Sequence, residues 1–329
     1  MHLPDWPIAA ETGLTLTAIL VAFLKPNLAS RTFQQVERMF LPLARKRGLA
    51  VLAVIFTALA GRAVLLPILP IPAPAIHDEF AYLLLAATFA SGRLTNPPHP
   101  MWKHFETFHV NQQPTYCSKF PPVQGAFLAI GQVVAGHPWF GVWLSAALMC
   151  GAICWMLQGW LPPGWALLGG VLAVIRLGVF SYWANSYWGG APAAIGGSLV
   201  LGALGRMQLR SPRPLRTRDA IWMAIGASIL ANSRPYEGLS VCVGAGAVLL
   251  FRVARAGSPA WRAFVLRAAL PMALVLSLAA VFMGVYFQRT TGNAFLNPYV
   301  LNRRQYAAVP APGLIWQATL PTPEYRYPR

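Results

Sequence analysis

The sequence is poor in charged residues, and in acidic residues above all. Only 11% of the 329 residues are charged, whereas a soluble domain has roughly 25%. Asp and Glu number 9 and Lys and Arg number 26, which gives a formal net charge of +17. Because 56% of the residues are hydrophobic and the mean hydropathy is +0.50, the composition excludes an ordinary soluble domain and a disordered chain.

The sequence also lacks the common signatures of cofactor and metal sites. The four cysteines form no C-x-x-C pair and three lie in apolar runs, which argues against a disulfide framework or a zinc site. There is no Walker A loop, no glycine-rich dinucleotide motif, no GxSxG and no HExxH. The spacing of His99, His104 and His109 does not place them on one helical face. We expect no cofactor; a divalent metal is compatible with the sequence, but nothing demands one.

Long apolar runs dominate what is present. A helix of about 20 apolar residues crosses a bilayer. Eight runs are candidates: 8–24, 49–71, 139–159, 164–182, 188–205, 219–231, 238–251 and 265–287. The first has no basic leader and no A-x-A cleavage site, so we expect it to be retained. The sequence thus predicts an all-α, polytopic membrane protein with about 8 transmembrane helices, plus juxtamembrane helices in its first large outer loop.

The basic residues predict how these helices are oriented. Three short connections, 25–48, 206–218 and 252–267, hold 15 of the 26 basic residues, and the positive-inside rule places them in the cytoplasm. Segment 72–121 then lies outside. An odd number of membrane crossings must separate segment 72–121 from segment 206–218. The run 122–136 is short, so it is predicted to be the run that does not cross and to lie along the outer surface. The positive charge therefore requires no nucleic-acid partner.

This topology divides the chain into three parts. Residues 1–48 form an N-terminal span and a basic cytoplasmic segment, 49–287 form the transmembrane core with the outer loop 72–121, and 288–329 form an outer polar tail. Seven of the nine acids and five of the six histidines fall on the outer side. We therefore expect the functional site on the extracytoplasmic face of a bacterial inner (plasma) membrane.

An acidic pair follows the proline-rich exit of the second run, in the sequence His77-Asp78-Glu79. One carboxylate of such a pair can accept a proton from a substrate hydroxyl while the other orients it. Alternatively, Asp78 caps a helix over 79–91, and Glu79 is favoured in its first turn by the helix dipole. The sequence leaves both interpretations open.

Four cations are candidates for binding a phosphate, of which Arg62 is the weakest. Lys119 ends the outer loop, Arg234 lies at the outer end of an apolar run, and Arg62 and Arg176 lie inside apolar runs. Arginine suits bidentate contacts to phosphate, and charges within a membrane span are usually functional. The alternative is that the side chains reach to the lipid headgroups.

Aromatic residues cluster near the predicted outer surface. Segment 181–190 contains two Tyr-Trp pairs, which fit either an aromatic belt at the membrane interface or a platform for a sugar ring. The candidates for binding a sugar or an acceptor are Tyr182, Asn185, Tyr187, Trp188, Tyr236 and Glu237.

Taken together, these features resemble the C-type (GT-C) glycosyltransferases over about residues 49–250. The residues that carry the resemblance are Asp78-Glu79 just beyond an outward span, the long outer loop, and Lys119-Phe120-Pro121-Pro122 at a juxtamembrane helix start. The likeness is to the branch of protein O-mannosyltransferases and the lipid A aminoarabinose transferase. Members commonly have histidine where this chain has Phe120. They also usually carry further spans, so the resemblance implies a shortened or C-terminally truncated member.

The resemblance implies a hexosyl- or pentosyltransferase that uses a polyprenyl-phosphate sugar as donor, inverts the anomeric centre and acts on a lipid, glycan or protein acceptor. Asp78 would be the general base and Glu79 its support. Two alternatives remain: a transporter or flippase for a lipid-linked anion, and a non-catalytic membrane assembly subunit. The sequence identifies neither the sugar nor the acceptor.

Overall fold

The computed structural model describes residues 6–25, 27–28, 30–207, 215–256 and 258–306. Within these residues the regular secondary structure is helical apart from one short strand pair. The α-helices are α1 (Trp6–Leu24), α2 (Ser30–Arg45), α3 (Arg47–Val64), α4 (His77–Ala90), α5 (Pro122–Ala135), α6 (Trp139–Leu157), α7 (Pro163–Ala173), α8 (Ala191–Arg206), α9 (Thr217–Ala231), α10 (Pro235–Ala256), α11 (Ser258–Phe264), α12 (Leu270–Thr291) and α13 (Pro298–Tyr306). The predicted all-α class is confirmed.

Four helices in the described part of the chain are long and apolar enough to cross a membrane: Arg47–Val64, Trp139–Leu157, Pro235–Arg255 and Trp261–Thr291. The other predicted runs form shorter helices. The first and fourth runs become the apolar segments Ala10–Leu24 and Pro163–Val179, and α8 and α9 have 16 and 15 residues. The lengths of the helices therefore support four membrane-spanning helices. The predicted number of about eight stays a prediction.

Short π- and 3₁₀-helical segments interrupt the helical pattern. A π-helical segment, Val174–Val179, continues α7, and another, Val265–Ala269, joins α11 to α12. Two 3₁₀ turns, Trp102–Phe105 and Tyr182–Ala184, lie in the loops before α5 and α8. Such irregular turns are frequent at functional sites, and the second one leads directly into the candidate site.

Hydrogen bonds between helices bring the basic helix ends together. Gln158, just after α6, donates from Nε2 to the carbonyl of Arg47 at the start of α3, at 3.0 Å. Arg206, the last residue of α8, donates from Nη2 to the carbonyl of Trp155 at 2.6 Å, and its guanidinium stacks on that indole at 3.8 Å. The predicted cytoplasmic connections that the structure describes thus share one end of the bundle. Residues 208–214 of the connection 206–218 lie outside the described residues.

The opposite end of the bundle gathers the acidic pair and the aromatic segment. Trp139, at the start of α6, donates from Nε1 to the carbonyl of Ala184 at 3.2 Å. The backbone N–H of Tyr187 donates to Glu79 in α4 at 2.9 Å. These bonds join α4, α6 and the loop before α8, and this end is called the site end below.

Helix α5 begins and ends at the site end. The backbone N–H of Val123 donates to the carbonyl of Asn232 at 3.2 Å, and just beyond the other end of α5 the ring of His137 lies 6.4 Å from that of Tyr187. A helix of 14 residues is about 21 Å long at 1.5 Å per residue. Both termini therefore remain on one side of the bundle, as expected of a helix that runs along a surface.

Glycines allow the closest helix contacts. A Cβ atom at Gly131 in α5 would collide with the backbone of Gly141 in α6. A Cβ at Gly226 in α9 would lie 2.6 Å from the carbonyl oxygen of Gly196 in α8. Small residues let membrane helices approach closely and gain van der Waals contact where the hydrophobic effect is weak. This explains how α8 and α9, though short, form a tightly packed pair.

The predicted polar tail from 288 onward is partly helical. Residues 288–291 belong to α12, and α13 follows after a turn that begins at Gly292 (φ +79°). Asn302 of α13 donates from Nδ2 to Oδ1 of Asn111 at 2.9 Å, and Asn111 donates back to the carbonyl of Pro298 at 3.0 Å. The helix is thereby fastened to the outer loop. Residues 307–329 of the predicted tail lie outside the described residues.

The outer loop itself is ordered by a small antiparallel pair of strands, β1 (Val110–Asn111) and β2 (Cys117–Ser118). Thr115, between the strands, donates from Oγ1 to the carbonyl of Thr290 at the end of α12, at 2.7 Å. The loop thus packs between α4 on one side and α12 and α13 on the other. This arrangement places His109 and Lys119, which flank the strands, beside the acidic pair.

Candidate functional site

The approach to the acidic pair is held by a buried arginine. Arg62, near the end of α3, is fully buried. It donates from Nη1 to the carbonyl of Leu69 at 2.8 Å and from Nη2 to that of Pro70 at 3.3 Å. Its guanidinium also lies 4.7 Å from the ring centre of Trp139. Arg62 therefore fixes the proline-rich turn that leads into α4.

Glu79 is a structural carboxylate. It is 2% exposed, and one oxygen accepts the backbone N–H groups of Ala75 (2.8 Å) and Ile76 (3.2 Å) just before α4. The other oxygen accepts the N–H of Tyr187 at 2.9 Å. Glu79 thus satisfies donors at the N-terminus of α4, as in a capping box, and ties that helix to the loop before α8.

Asp78 is turned away from this cap. Helix α4 begins at His77, with Ile76 at the N-cap position, so the alternative in which Asp78 caps a helix over 79–91 is wrong. Adjacent residues on a helix point about 100° apart, which separates the two carboxylates. Asp78 Oδ1 lies 3.0 Å from Nε2 of His109, and both side chains are largely buried, with 23% and 27% of their surface exposed.

A cavity of about 400 Å³ opens beside Asp78, and we call it the smaller cavity. Arg234 is the cation in its wall and forms an ion pair with Glu237 at 3.3 Å. Five aromatic side chains contribute to the wall, and the guanidinium of Arg234 lies 6.0 Å from the ring centre of Trp188. The lining comprises Asp78, Tyr82, Phe120, Pro121, Trp188, Ser233, Arg234, Pro235, Tyr236, Glu237, Asn297, Tyr299 and Val300.

A second cavity, of about 630 Å³, lies on the His109 side of the pair, and we call it the larger cavity. Lys119 lines it, with Nζ 4.8 Å from the ring centre of Tyr299. Burial, together with Arg303, lowers the pKa of Lys119, and Asp78 acts in the opposite direction. The full lining is His77, Glu106, Thr107, Phe108, His109, Lys119, Tyr299, Asn302, Arg303 and Tyr306. Tyr299 borders both cavities, and the Asp78–His109 pair contributes one residue to each.

The structure brings together most of the residues predicted from the sequence. Asp78, Trp188, Arg234, Tyr236 and Glu237 line the smaller cavity, and Lys119 lines the larger one. Tyr182 lies nearby, half-exposed, with its ring edge-on to Trp188 at 5.6 Å.

Two predicted sugar-binding residues have structural contacts instead. Tyr187 is 2% exposed and donates from its hydroxyl to the carbonyl of Pro72 at 3.0 Å. Asn185 donates from Nδ2 to the carbonyls of Val179 (2.9 Å) and Ser181 (2.8 Å). Both side chains hold the loop that presents Trp188.

Arg176 lies apart from this group. It is carried by the π-helical segment after α7, its side chain is 81% exposed, and Nη2 lies 3.9 Å from Glu11 of α1. Its neighbour is therefore an acidic residue of the first apolar helix, and the structure does not bring it together with Lys119 or Arg234.

The contributions of His109 and of α13 are not evident from the sequence pattern. The spacing of His109 from the other histidines predicts no role for it, and its place in an ordered loop close to Lys119 is what brings it to Asp78. Helix α13 does have a sequence signal, because Asn297 followed by Pro298 is a typical helix start. Asn297 Oδ1 indeed accepts the N–H of Tyr299 at 2.8 Å.

Among the residues that the structure describes, no group of three or more His, Cys, Asp or Glu side chains is arranged to hold a metal ion. Comparison of the chain with protein-family models, with curated proteins and with solved structures found no match. The chemistry of the site must therefore be argued from its own residues.

Proposed function

We propose that this chain is a membrane glycosyltransferase of the GT-C kind. It moves a hexose or pentose from a polyprenyl-phosphate donor to an acceptor hydroxyl or amine. Asp78 serves as the general base, the acceptor attacks the anomeric carbon, and the polyprenyl phosphate leaves from the opposite face, so the anomeric configuration inverts. The acceptor is a lipid, a glycan or a protein.

The observation that carries this proposal is the environment of Asp78. Glu79 already satisfies the start of α4, so the carboxylate of Asp78 is left to face a cavity that combines a cation with aromatic rings. A carboxylate positioned in this way can act as a base, aromatic faces suit the apolar side of a sugar ring, and a guanidinium suits a phosphate.

The roles of the surrounding residues follow from the two cavities. Arg234 and Lys119 stabilise the negative charge of the donor phosphate as it leaves. Trp188, Tyr236 and Glu237 contact the sugar or the acceptor, and Tyr182 extends the aromatic surface. Tyr187 and Asn185 act indirectly, by holding the loop. Arg176 is not part of the proposed site, because it pairs with Glu11 instead.

The proposed setting is the inner (plasma) membrane of a bacterium, crossed about eight times. The site end faces outward and the basic helix ends face the cytoplasm. The clustering of basic residues at the opposite end supports this orientation. Helix α5 then lies along the outer surface, and the donor reaches the site from the bilayer.

The test is sugar transfer in proteoliposomes, with a panel of polyprenyl-phosphate hexoses and pentoses as donors and a lipid extract as acceptor. We expect Asp78→Asn to lower turnover by about 10²–10⁴-fold, the range typical for loss of a general base. Glu11→Gln, a matched change at an exposed acid far from the cavities, should leave turnover unchanged.

Two outcomes of this test would refute the proposal. A fully active Asp78→Asn protein would exclude the catalytic role of Asp78. Movement of the donor lipid across the bilayer without any transfer would favour the transporter alternative, in which Asp78 is dispensable.

A further inference from the structure

His109 is held in an unusual backbone conformation beside Asp78. Its φ angle is +67°, in the left-handed region that residues other than glycine rarely adopt. The carbonyl of His109 accepts the N–H of Lys119 at 3.0 Å, and its ring packs 5.5 Å from that of Phe120. Strained residues of this kind persist when their surroundings fix them, and they cluster at active sites.

The close contact with Asp78 indicates which nitrogen of His109 is available. A carboxylate offers no proton, so the 3.0 Å contact between Nε2 of His109 and Oδ1 of Asp78 favours the tautomer that carries its proton on Nε2. In the neutral imidazole the other nitrogen, Nδ1, then carries a lone pair and can accept a proton. An adjacent carboxylate orients a histidine base in this way and stabilises its protonated form.

Burial, together with the charges nearby, lowers the pKa of His109. Asp78 and His77 approach from α4, Lys119 and Glu106 lie in the outer loop, and Arg303 reaches the same cavity from α13. Burial lowers the pKa of His109 most, Lys119 and His77 lower it further, and Asp78 raises it. The net direction is downward from the ordinary value of about 6.5, so at neutral pH the ring is unprotonated.

We propose that His109 is a catalytic residue: it receives the proton of the acceptor, and Asp78 orients it and stabilises the imidazolium that forms. This inference rests on the proposed function and refines the role of Asp78. The acceptor would enter through the larger cavity, which His109 lines, while the sugar occupies the smaller cavity beside Asp78.

The acceptor O–H gives its proton to Nδ1 of His109, and the oxygen forms a bond to the anomeric carbon. The bond between that carbon and the phosphate oxygen breaks, and its electron pair leaves with the polyprenyl phosphate. The imidazolium then returns its proton to water or to the leaving phosphate, which restores the neutral ring.

The first experiment needs no transferase activity. In protein labelled with ¹⁵N-histidine and purified in detergent, the His109 signal is assigned by its loss in His109→Gln. We expect the Nε2–H tautomer at pH 7.5, and a downward shift of the His109 pKa in Asp78→Asn, because the stabilising carboxylate is gone. A ring that is protonated at pH 7.5, or that carries its proton on Nδ1, overturns the inference.

The second experiment compares two variants in the transfer assay. His109→Gln keeps a side-chain N–H donor that can bond Asp78 but cannot take up a proton, so we expect turnover to fall by about 10²–10⁴-fold. His109→Gly suits the left-handed backbone, so the loop can keep its conformation although the ring contacts are lost. We expect it to be inactive alone and to regain activity with added imidazole.

The outcomes separate the inference from the proposed function. If His109→Gln is active while Asp78→Asn is not, Asp78 is itself the base and His109 only a neighbour, so the inference fails and the function stands. If His109→Gly stays inactive in imidazole although its thermal stability is normal, the proton-accepting role is likewise overturned. If the wild-type protein transfers no sugar from any donor of the panel, the proposed function fails, and the catalytic role of His109 fails with it.

Discussion

At the scale of single residues, the acidic pair shows how neighbours in sequence acquire different tasks. Asp78 and Glu79 differ by one position on α4, yet Glu79 binds three backbone N–H groups while Asp78 meets a histidine at the edge of two cavities. Glu79 fixes both the start of the helix and the loop that carries Trp188, and its support of Asp78 in catalysis stays a prediction.

Glu79→Gln should therefore act on stability. The amide would turn an N–H₂ group toward backbone donors, leaving at least one buried N–H without an acceptor, and this costs about 1–3 kcal/mol. We expect a lower melting temperature in detergent for Glu79→Gln and no change for Glu11→Gln, whose carboxylate is exposed. Equal melting temperatures for wild type and Glu79→Gln would contradict the structural role.

Lys119 provides a prediction about pH. Burial and Arg303 lower its pKa, so its positive charge is lost at a lower pH than that of an exposed lysine. If Lys119 binds the donor phosphate, the KM for the donor should rise as the pH increases through this lowered pKa. In Lys119→Arg the charge persists, since the arginine pKa lies above about 12.

The measurement is the KM for the donor between pH 7 and pH 10, in wild type and in Lys119→Arg. We expect the KM of the wild type to rise on the alkaline side, and that of the arginine variant to stay flatter, even if its value at neutral pH is higher. If the KM values of wild type and Lys119→Arg rise in the same way at alkaline pH, Lys119 does not supply the positive charge that binds the donor phosphate.

At the scale of helices, the apolar runs could be predicted because long hydrophobic segments have few alternatives. Crossing parity predicts that 122–136 does not cross the membrane. Val123 and His137 both contact one end of the bundle, and the position of this helix relative to a membrane stays a prediction. Helix α13 was missed because its residues are polar, and its place depends on Asn302 meeting Asn111, 191 positions earlier in the chain. Long-range pairings of that kind leave no local pattern.

The contact between α5 and α6 gives a prediction about packing. A Cβ at Gly131 would collide with the backbone of Gly141, which cannot yield as a side chain can, whereas nothing lies within 4 Å of a Cβ at Gly197 in α8. Gly131→Ala should lower the melting temperature or abolish folding. Gly197→Ala should leave stability unchanged or raise it by about 0.5–1 kcal/mol, because alanine favours helix. If the two variants have the same melting temperature, α5 and α6 do not approach each other as closely as the structure shows.

At the scale of the whole molecule, the two ends of the bundle differ in chemistry. One end collects basic residues at the termini of α2, α3, α8 and α9. The other collects the acidic pair, the aromatic segment, the ordered loop and α13. The sequence predicts from charge counts which end faces the cytoplasm, because orientation in a membrane follows the distribution of Lys and Arg, and that orientation stays a prediction. The cavities could not be predicted from the sequence, because their walls come from five separate segments of the chain.

The polarity can be tested by labelling single cysteines in a variant without the four native ones. Thr107 is exposed in the outer loop at the larger cavity, and Lys46 is exposed between α2 and α3 at the basic end. In spheroplasts, an impermeant maleimide should label Thr107→Cys directly and Lys46→Cys only after permeabilisation. A control with the parent variant sets the background. If Lys46→Cys is labelled in intact spheroplasts and Thr107→Cys is not, the protein has the opposite orientation in the membrane. In that orientation the Asp78–His109 pair would face the cytoplasm and the basic loops would lie outside, against the positive-inside rule. The proposal of transfer on the extracytoplasmic face would then be refuted.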